Sequence, residues 1–240
     1  MGLEFARQLA EEGYDLVLVA RSRGRLQKIA AALEDRFGVL TEVLVADLGK
    51  ADDSARVADR LRQEPAVEML VNAAGFGIST PFLENSVEVE TQALNVMVRA
   101  VMETCHAAGN AMRTAGNGRI INVSSIAADS GMGPYSAHKA WVRSFSEGLA
   151  NELCGTGVIV TAVMPGLVRT EFHGRAGADY SGAPKVAWSS AKTVVTQSLA
   201  ASRKGKVLFT PTLRYKVVSA VQRSVPGGLK RAVMRLVPHM

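Results

Sequence analysis

Apolar positions recur along this chain in two alternating rhythms, short continuous runs and longer stretches at helical spacing. In "MGLEFARQLAEEG", Leu3, Ala6, Leu9 and Ala10 share one face, which predicts a helix over residues 1–12 closed by Gly13. "YDLVLVA" follows at once as a buried strand, residues 14–20. Helices are predicted over 23–37, 52–63 and 135–153, with a long one inside 87–115; Gly38, Pro65 and Gly155 serve as stops. Strands are predicted over 40–46, 67–73, 119–124, 158–164 and 207–210. From 165 to 205 the pattern is less regular, and basic helical segments finish the chain.

Runs such as "DLVLVA", "RIINVS" and "VIVTAV" are apolar throughout, which suits strands of a parallel sheet covered on both faces. No internal repeat or long linker interrupts the alternation. The expectation is one α/β domain over residues 1–240, a doubly wound parallel sheet with helices on both faces. Such folds usually begin with a strand, because the first helix needs a sheet to cover. Here a helix comes first, so the first, central strand is missing from this sequence.

A hydrophobic content of 48% over 240 residues supports one sizeable core. No apolar run is long enough to span a bilayer. The first residues do not read as a secretory signal, and Ala6 stands where a myristoylation motif needs Ser or Thr. Cys105 and Cys154 are isolated, without metal-type spacing; both are read as small core residues in a reducing, cytoplasmic compartment. The net charge of +6 is unevenly spread: all 22 acids lie in residues 1–179, while 180–240 carry eleven Lys and Arg and no acid. That tail suits an anionic cofactor or substrate, a membrane surface, or a solvated helical face. No zinc-finger, RNP or heptad pattern accompanies it, so nucleic acid is not an expected partner.

Ligands of doubly wound sheets bind at the carboxyl ends of the strands. The polar residues there are "ARSR" (20–23), "ADL" (46–48), "NAAG" (72–75), "SS" (124–125) and "MPG" (164–166). In "GPYSAHKAW", Tyr135 and Lys139 are four apart, hence on one helix face. A phenol with a pKa near 10 is a poor proton carrier at neutral pH, and a neighbouring ammonium favours its phenolate. The pair follows a strand ending in Ser124-Ser125, which offers a hydroxyl near the same point.

With "NAAG", "NVSS", "YSAHK" and "MPGLVRT" in this order, the chain resembles the short-chain dehydrogenase/reductase family over essentially its whole length. The resemblance implies a Rossmann-like fold, an NAD(P)-dependent oxidoreductase interconverting a carbonyl and an alcohol, and a homo-oligomer built on the helices near 90–112 and 136–153. It implies that Tyr135 is the general acid/base, that Lys139 lowers its pKa and holds the nicotinamide ribose, and that Ser125 orients the substrate oxygen. Asn95 would anchor a water for proton relay. Asp47 and Leu48 would lie near the adenine, and Asn72, Ala73, Ala74 and Gly75 would support the central strand and let the cofactor approach. Pro165, Gly166, Val168 and Thr170 would line the nicotinamide end, and Gly2 would be the last glycine of a phosphate-binding turn.

An NAD-preferring site usually carries an acid after the second strand, for the ribose hydroxyls. This chain has Arg21 and Ser22 there, and arginine binds a 2′-phosphate through charge-assisted hydrogen bonds. NADP(H) is therefore expected over NAD(H), and no metal is expected. Two features depart from the family pattern: the Ser125–Tyr135 loop is short, and His138 precedes Lys139, where it is read as packed or hydrogen-bonded rather than catalytic. Residues 167–240 form the variable substrate lid and basic C-terminal segment; "RTEFHGRAGADYSGAP" reads as a mobile loop. Leu213, Val217, Val218 and Val221 recur at helical spacing in a segment that closes over an apolar substrate, packs, or rests on an anionic membrane. The alternative to an enzyme is a non-catalytic or N-terminally truncated binding protein of the same fold.

The helix at Met1 should follow a strand and a Gly-rich turn holding the pyrophosphate. Met1 is accordingly expected to be a misplaced start, with about a dozen or more residues ahead of it. Upstream nucleotides should then read open in frame, and an immediate stop codon would overturn the expectation.

Overall fold

The computed structural model describes residues 1–172, 182, 184–225 and 228. Most of the expected mobile loop and the end of the basic tail lie outside the described residues.

Helix α1 (Gly2–Glu11) leads into β1 (Leu16–Ala20), α2 (Arg23–Phe37), β2 (Thr41–Val45), α3 (Ala51–Arg60) and β3 (Met69–Asn72). Then come α4 (Val87–Leu94), a widened π turn (Asn95–Arg99), α5 (Ala100–Ala115), β4 (Gly118–Val123), α6 (Pro134–Glu152) and β5 (Val158–Val163). The short β6 (Val168–Arg169) and β7 (Ser189–Ser190) pair with each other, before α7 (Ala191–Arg203), β8 (Leu208–Phe209) and α8 (Leu213–Ser224). Each predicted strand from 14–20 onward has its counterpart, trimmed by a few residues at its ends. The long 87–115 helix is divided by the π turn, which begins at Asn95.

All strand pairs are parallel. Strands run in the order β3-β4-β5-β8, while β1 and β2 pair separately, Leu16 opposite Thr41. Between β1 and β3 lies a large cavity, about 2150 Å³ including the cleft at the strand ends, lined by every residue of both strands. The sheet is interrupted where the expected first strand would pair.

Side chains alternate across the strands, so adjacent residues feed opposite cores. Ile120 and Val160 join a core with Val57, Ala58, Cys105, Ala108 and Met112 of α3 and α5. Ile121 and Val163 join another with Phe5, Leu9, Val195 and Leu199 of α1 and α7. A third core sets Ala6 and Ala10 of α1 against Leu33 of α2 and Val39.

Three expectations are corrected. Leu3 is exposed, because α1 turns Phe5, Ala6, Leu9 and Ala10 inward instead. Cys154 is exposed, just past the end of α6, and only Cys105 is buried. The stretch read as irregular contains α7, capped by Ser190 Oγ accepting from the Thr193 amide at 3.0 Å. Its Val194, Val195, Ser198 and Leu199 are all buried, the two-turn spacing of a core-facing helix.

A chain of side-chain hydrogen bonds, buried except at the half-buried Asn72, crosses the sheet at the strand ends. Thr104 Oγ1 donates to Asn72 Oδ1 (3.0 Å), Asn72 Nδ2 to Asn122 Oδ1 (2.9 Å), and Asn122 Nδ2 to Ser146 Oγ (3.0 Å). Ser146 Oγ closes the series on the Val142 carbonyl at 2.7 Å. Asn122→Ala orphans a donor on one side and an acceptor on the other, so it should cost about 2–4 kcal/mol in urea denaturation. A loss below about 1 kcal/mol would show that the chain of bonds contributes little.

Candidate active site

The cleft at the strand ends is assembled from five loops. After β4, Ser124 is buried and its Oγ donates to the Lys139 carbonyl at 2.7 Å. Ser125 Oγ caps the following turn, accepting from the Ala127 amide at 3.1 Å and donating to the Pro165 carbonyl at 3.5 Å. The turn ends near Ser130, whose Oγ lies 3.0 Å from Ser136 Oγ, and this hydrogen bond sets the start of α6. Pro134 occupies the first position of α6, where its missing N–H costs nothing.

Tyr135 and Lys139 project from the first turns of α6 into the cleft together. The Lys139 ammonium lies 5.7 Å from the Tyr135 ring centroid and donates to the Val123 carbonyl at 2.8 Å. Burial pushes its pKa down to about 8, so at neutral pH it remains mostly charged. The Phe172 ring stands 5.8 Å from the Tyr135 ring, tilted 51°, and gives that side of the cleft an apolar wall.

Asn72, Ala73, Ala74 and Gly75 line the same cleft after β3. A Cβ on Gly75 would lie 3.6 Å from Lys139 Nζ and 3.5 Å from Met97, so the backbone passes close to the amine. Gly2, at the start of α1, sits near Ala73. Asp47 and Leu48 line the cleft after β2, with the Asp47 carboxylate turned onto the Gly49 amide at 3.0 Å. Pro165, Gly166, Val168 and Thr170 line it after β5. At Gly166 a Cβ would fall 2.1 Å from the Tyr215 ring, so only glycine fits.

Arg21 and Ser22 are exposed at the cleft's far end, beyond β1. Arg25 faces the same space and is a residue the sequence reading missed; it forms a two-pronged pair with Glu171 (2.9 and 2.7 Å). Asn95 is set apart from these residues. Half-buried in the π turn, it donates to the Gly49 carbonyl at 3.2 Å and does not line the cleft. His138 is buried on the side facing Glu90, and burial lowers its pKa, in keeping with a packed, neutral ring. Burial pushes the Cys105 thiol up to about 12, leaving it an inert neighbour of Asn72 and Asn122. Among the described residues no cluster of His, Cys, Asp and Glu is placed to hold a metal ion.

A buried amine beside a phenol, a glycine-lined backbone and a cationic far end are thus grouped at the strand ends of a parallel α/β sheet, where such folds bind their ligands. The short chain dehydrogenase family model matches residues 1–181, and the chain belongs to that family, the short-chain dehydrogenases/reductases. It is 32% identical over 187 residues to the very-long-chain 3-oxoacyl-CoA reductase of Anas platyrhynchos, covering 71% of this chain and 57% of that protein. Among solved structures it is similar to a short-chain dehydrogenase from Sphingobium yanoikuyae in complex with NADPH (32% identity, TM-score 0.84, 92% and 88% of the two chains). It is also similar to a bulky-bulky ketone specific alcohol dehydrogenase from Comamonas testosteroni (26% identity, TM-score 0.79, 93% and 90% of the two chains).

The Lys139 shift has a consequence for stability. Above the ordinary lysine pKa of 10.5 both folded and unfolded chains hold it neutral. As pH falls from there towards 8, the unfolded chain takes up a proton that the folded chain does not, and stability is lost over that window. Lys139→Met should remove this dependence, changing the slope by up to about 3 kcal/mol between pH 8 and 10.5 in denaturation experiments. Parallel pH profiles for the two proteins would contradict the shift.

Proposed function

We propose that the chain is an NADP(H)-dependent oxidoreductase that interconverts a carbonyl and an alcohol on a small apolar substrate. The observation that carries this reading is the convergence of Ser125, Tyr135 and the buried Lys139 ammonium on one cleft. Tyr135 gives its proton to the substrate oxygen in reduction and takes it back in oxidation. Lys139 holds positive charge beside the ring and so stabilises the phenolate that the proton leaves behind. Ser125, at the strand end, orients the substrate oxygen. The residues of the cleft fit a dinucleotide: Lys139 and the 72–75 backbone at one end, Pro165–Thr170 around the nicotinamide position, and Arg21 with Ser22 at the other end. When bound, NADPH supplies the hydride.

Two observations support the preference for the 2′-phosphate: β1 is followed by Arg21 and Ser22 with no acid, and a similar solved structure is an NADPH complex. The apolar side of this reading is supported by the Phe172 wall; two similar proteins are named for bulky-bulky ketones and for very-long-chain 3-oxoacyl-CoA, names that support carbonyl substrates with apolar groups and not small size. Assembly as a homo-oligomer through α5 and α6 is part of the same reading. The second reading is a binding protein of this fold without turnover.

One fluorescence titration with a turnover assay separates them. The chain should bind NADPH and reduce members of a ketone panel. Tyr135→Phe should lower turnover at least about a hundredfold with NADPH binding intact, and Arg21→Ala should weaken NADPH roughly 10–100-fold while leaving NADH unchanged. Turnover retained by Tyr135→Phe would sink the mechanism, and absence of NADPH binding would favour the second reading.

A further inference from the structure

Helix α8 has two unlike faces. Its inner face is fixed to the active-site rim: Tyr215 Oη donates to the Ala187 carbonyl at 2.6 Å and accepts from the Leu167 amide at 3.0 Å, with its ring over Gly166. Ser219, one turn on, is buried beside it. The outer face carries Leu213, Val217 and Val221, each more than half exposed and one turn apart, with Val218 on the flank. Arg214 extends this strip: its guanidinium donates to the Val186 and Trp188 carbonyls and to Ser189 Oγ, bringing the exposed Val186 alongside the first turn. No described residue covers the strip. Exposed Lys185 and Lys216 flank it, and the whole 180–240 segment carries eleven cations and no acid.

We propose that this face docks on an anionic lipid bilayer, the aliphatic side chains entering the headgroup–acyl boundary and the lysines lying among the headgroups. Charge decides the occupant. A second copy laid on the same face would bring two acid-free, strongly basic segments together, whereas an anionic membrane neutralises them. Because Tyr215 ties α8 to the turn at Gly166, the docked surface adjoins the reaction cleft, and an apolar substrate would reach it from the bilayer. That delivery step rests on the function proposed above; the docking itself does not.

The test is cosedimentation of the full chain with vesicles of phosphatidylcholine alone or mixed with phosphatidylglycerol, which needs neither cofactor nor turnover. The chain should pellet with the mixed vesicles only, and high salt should release it. The triple variant Leu213→Asp, Val217→Asp, Val221→Asp should lower binding on the order of tenfold. The milder pair Lys185→Glu, Lys216→Glu should do so similarly, with unchanged circular dichroism melting as evidence that both variants fold. Equal binding to the neutral vesicles, or wild-type binding by the folded variants, would overturn the proposal. Concentration-dependent self-association without vesicle binding would overturn it too, and would assign the face to a second copy.

Discussion

The hydrogen-bonded series Thr104–Asn72–Asn122–Ser146 sets the geometry on which the rest of the site depends. It joins α5, β3, β4 and α6 through three buried side chains and the half-buried Asn72. A buried amide is costly unless paired, so any slip of one element against its neighbour would leave several groups unsatisfied at once. Apolar packing around Ile120 and Val160 supplies cohesion, yet it tolerates small sliding; the polar series does not. Register is thus fixed close to the strand ends, where Ser125, Tyr135 and Lys139 line the cleft.

A second clasp acts at that point. Ser124 holds the backbone of α6 through the Lys139 carbonyl, while Lys139 reaches back to the Val123 carbonyl, so β4 and α6 grip each other twice within one turn. This arrangement opposes stability and serves the site at the same time. An ammonium surrounded by protein destabilises the fold at neutral pH, and its lowered pKa measures that penalty. In the function proposed above, the same burial keeps the local dielectric low, which makes its charge more effective on the neighbouring phenol.

Much of this was legible in the sequence, for physical reasons. Continuous apolar strands announce a two-sided sheet, and strand ends in such a sheet announce the site, so Tyr135, Lys139, Ser125 and the 72–75 turn could be placed before any coordinates. Asn122 could have been found as well: a polar residue in the middle of "RIINVS" has to be paired or expelled. Arg25 and Tyr215 could not, because their significance lies in partners 146 and 48 residues away, and no local pattern encodes those contacts. Helix α7 was missed because a small-residue sequence, "AKTVVTQSLAASR", carries a weak periodicity whose apolar face is set by tertiary packing. Cys154 shows the opposite error, where a residue type usually buried lies just past a helix end that faces solvent.

The interrupted sheet leaves the two ends of the cleft on separate pieces. Ser125, Tyr135 and Lys139 belong to the β3–β8 piece, whereas Arg21, Ser22 and Asp47 belong to β1 and β2. Strand hydrogen bonds do not join them, and helix packing does: Val57 and Ala58 of α3 share a core with α5, Ile120 and Val160, and α1 packs against both pieces on the opposite face. That helix turns Phe5 and Leu9 into the core under β4 and β5, and Ala6 and Ala10 into the core against α2. Its polar side chains add ties to α7, Gln8 Nε2 donating to the Lys192 carbonyl at 3.1 Å and Thr196 Oγ1 donating to Gln8 Oε1 at 2.9 Å. The Arg25–Glu171 pair also bridges the pieces, but an exposed ion pair contributes about 0–1 kcal/mol, far less than packed apolar area. The two pieces are therefore held by helices on both faces of the sheet, α1 on one and α3 against α5 on the other, and the Asn95 and Arg99 side chains add hydrogen bonds to the Gly49 carbonyl.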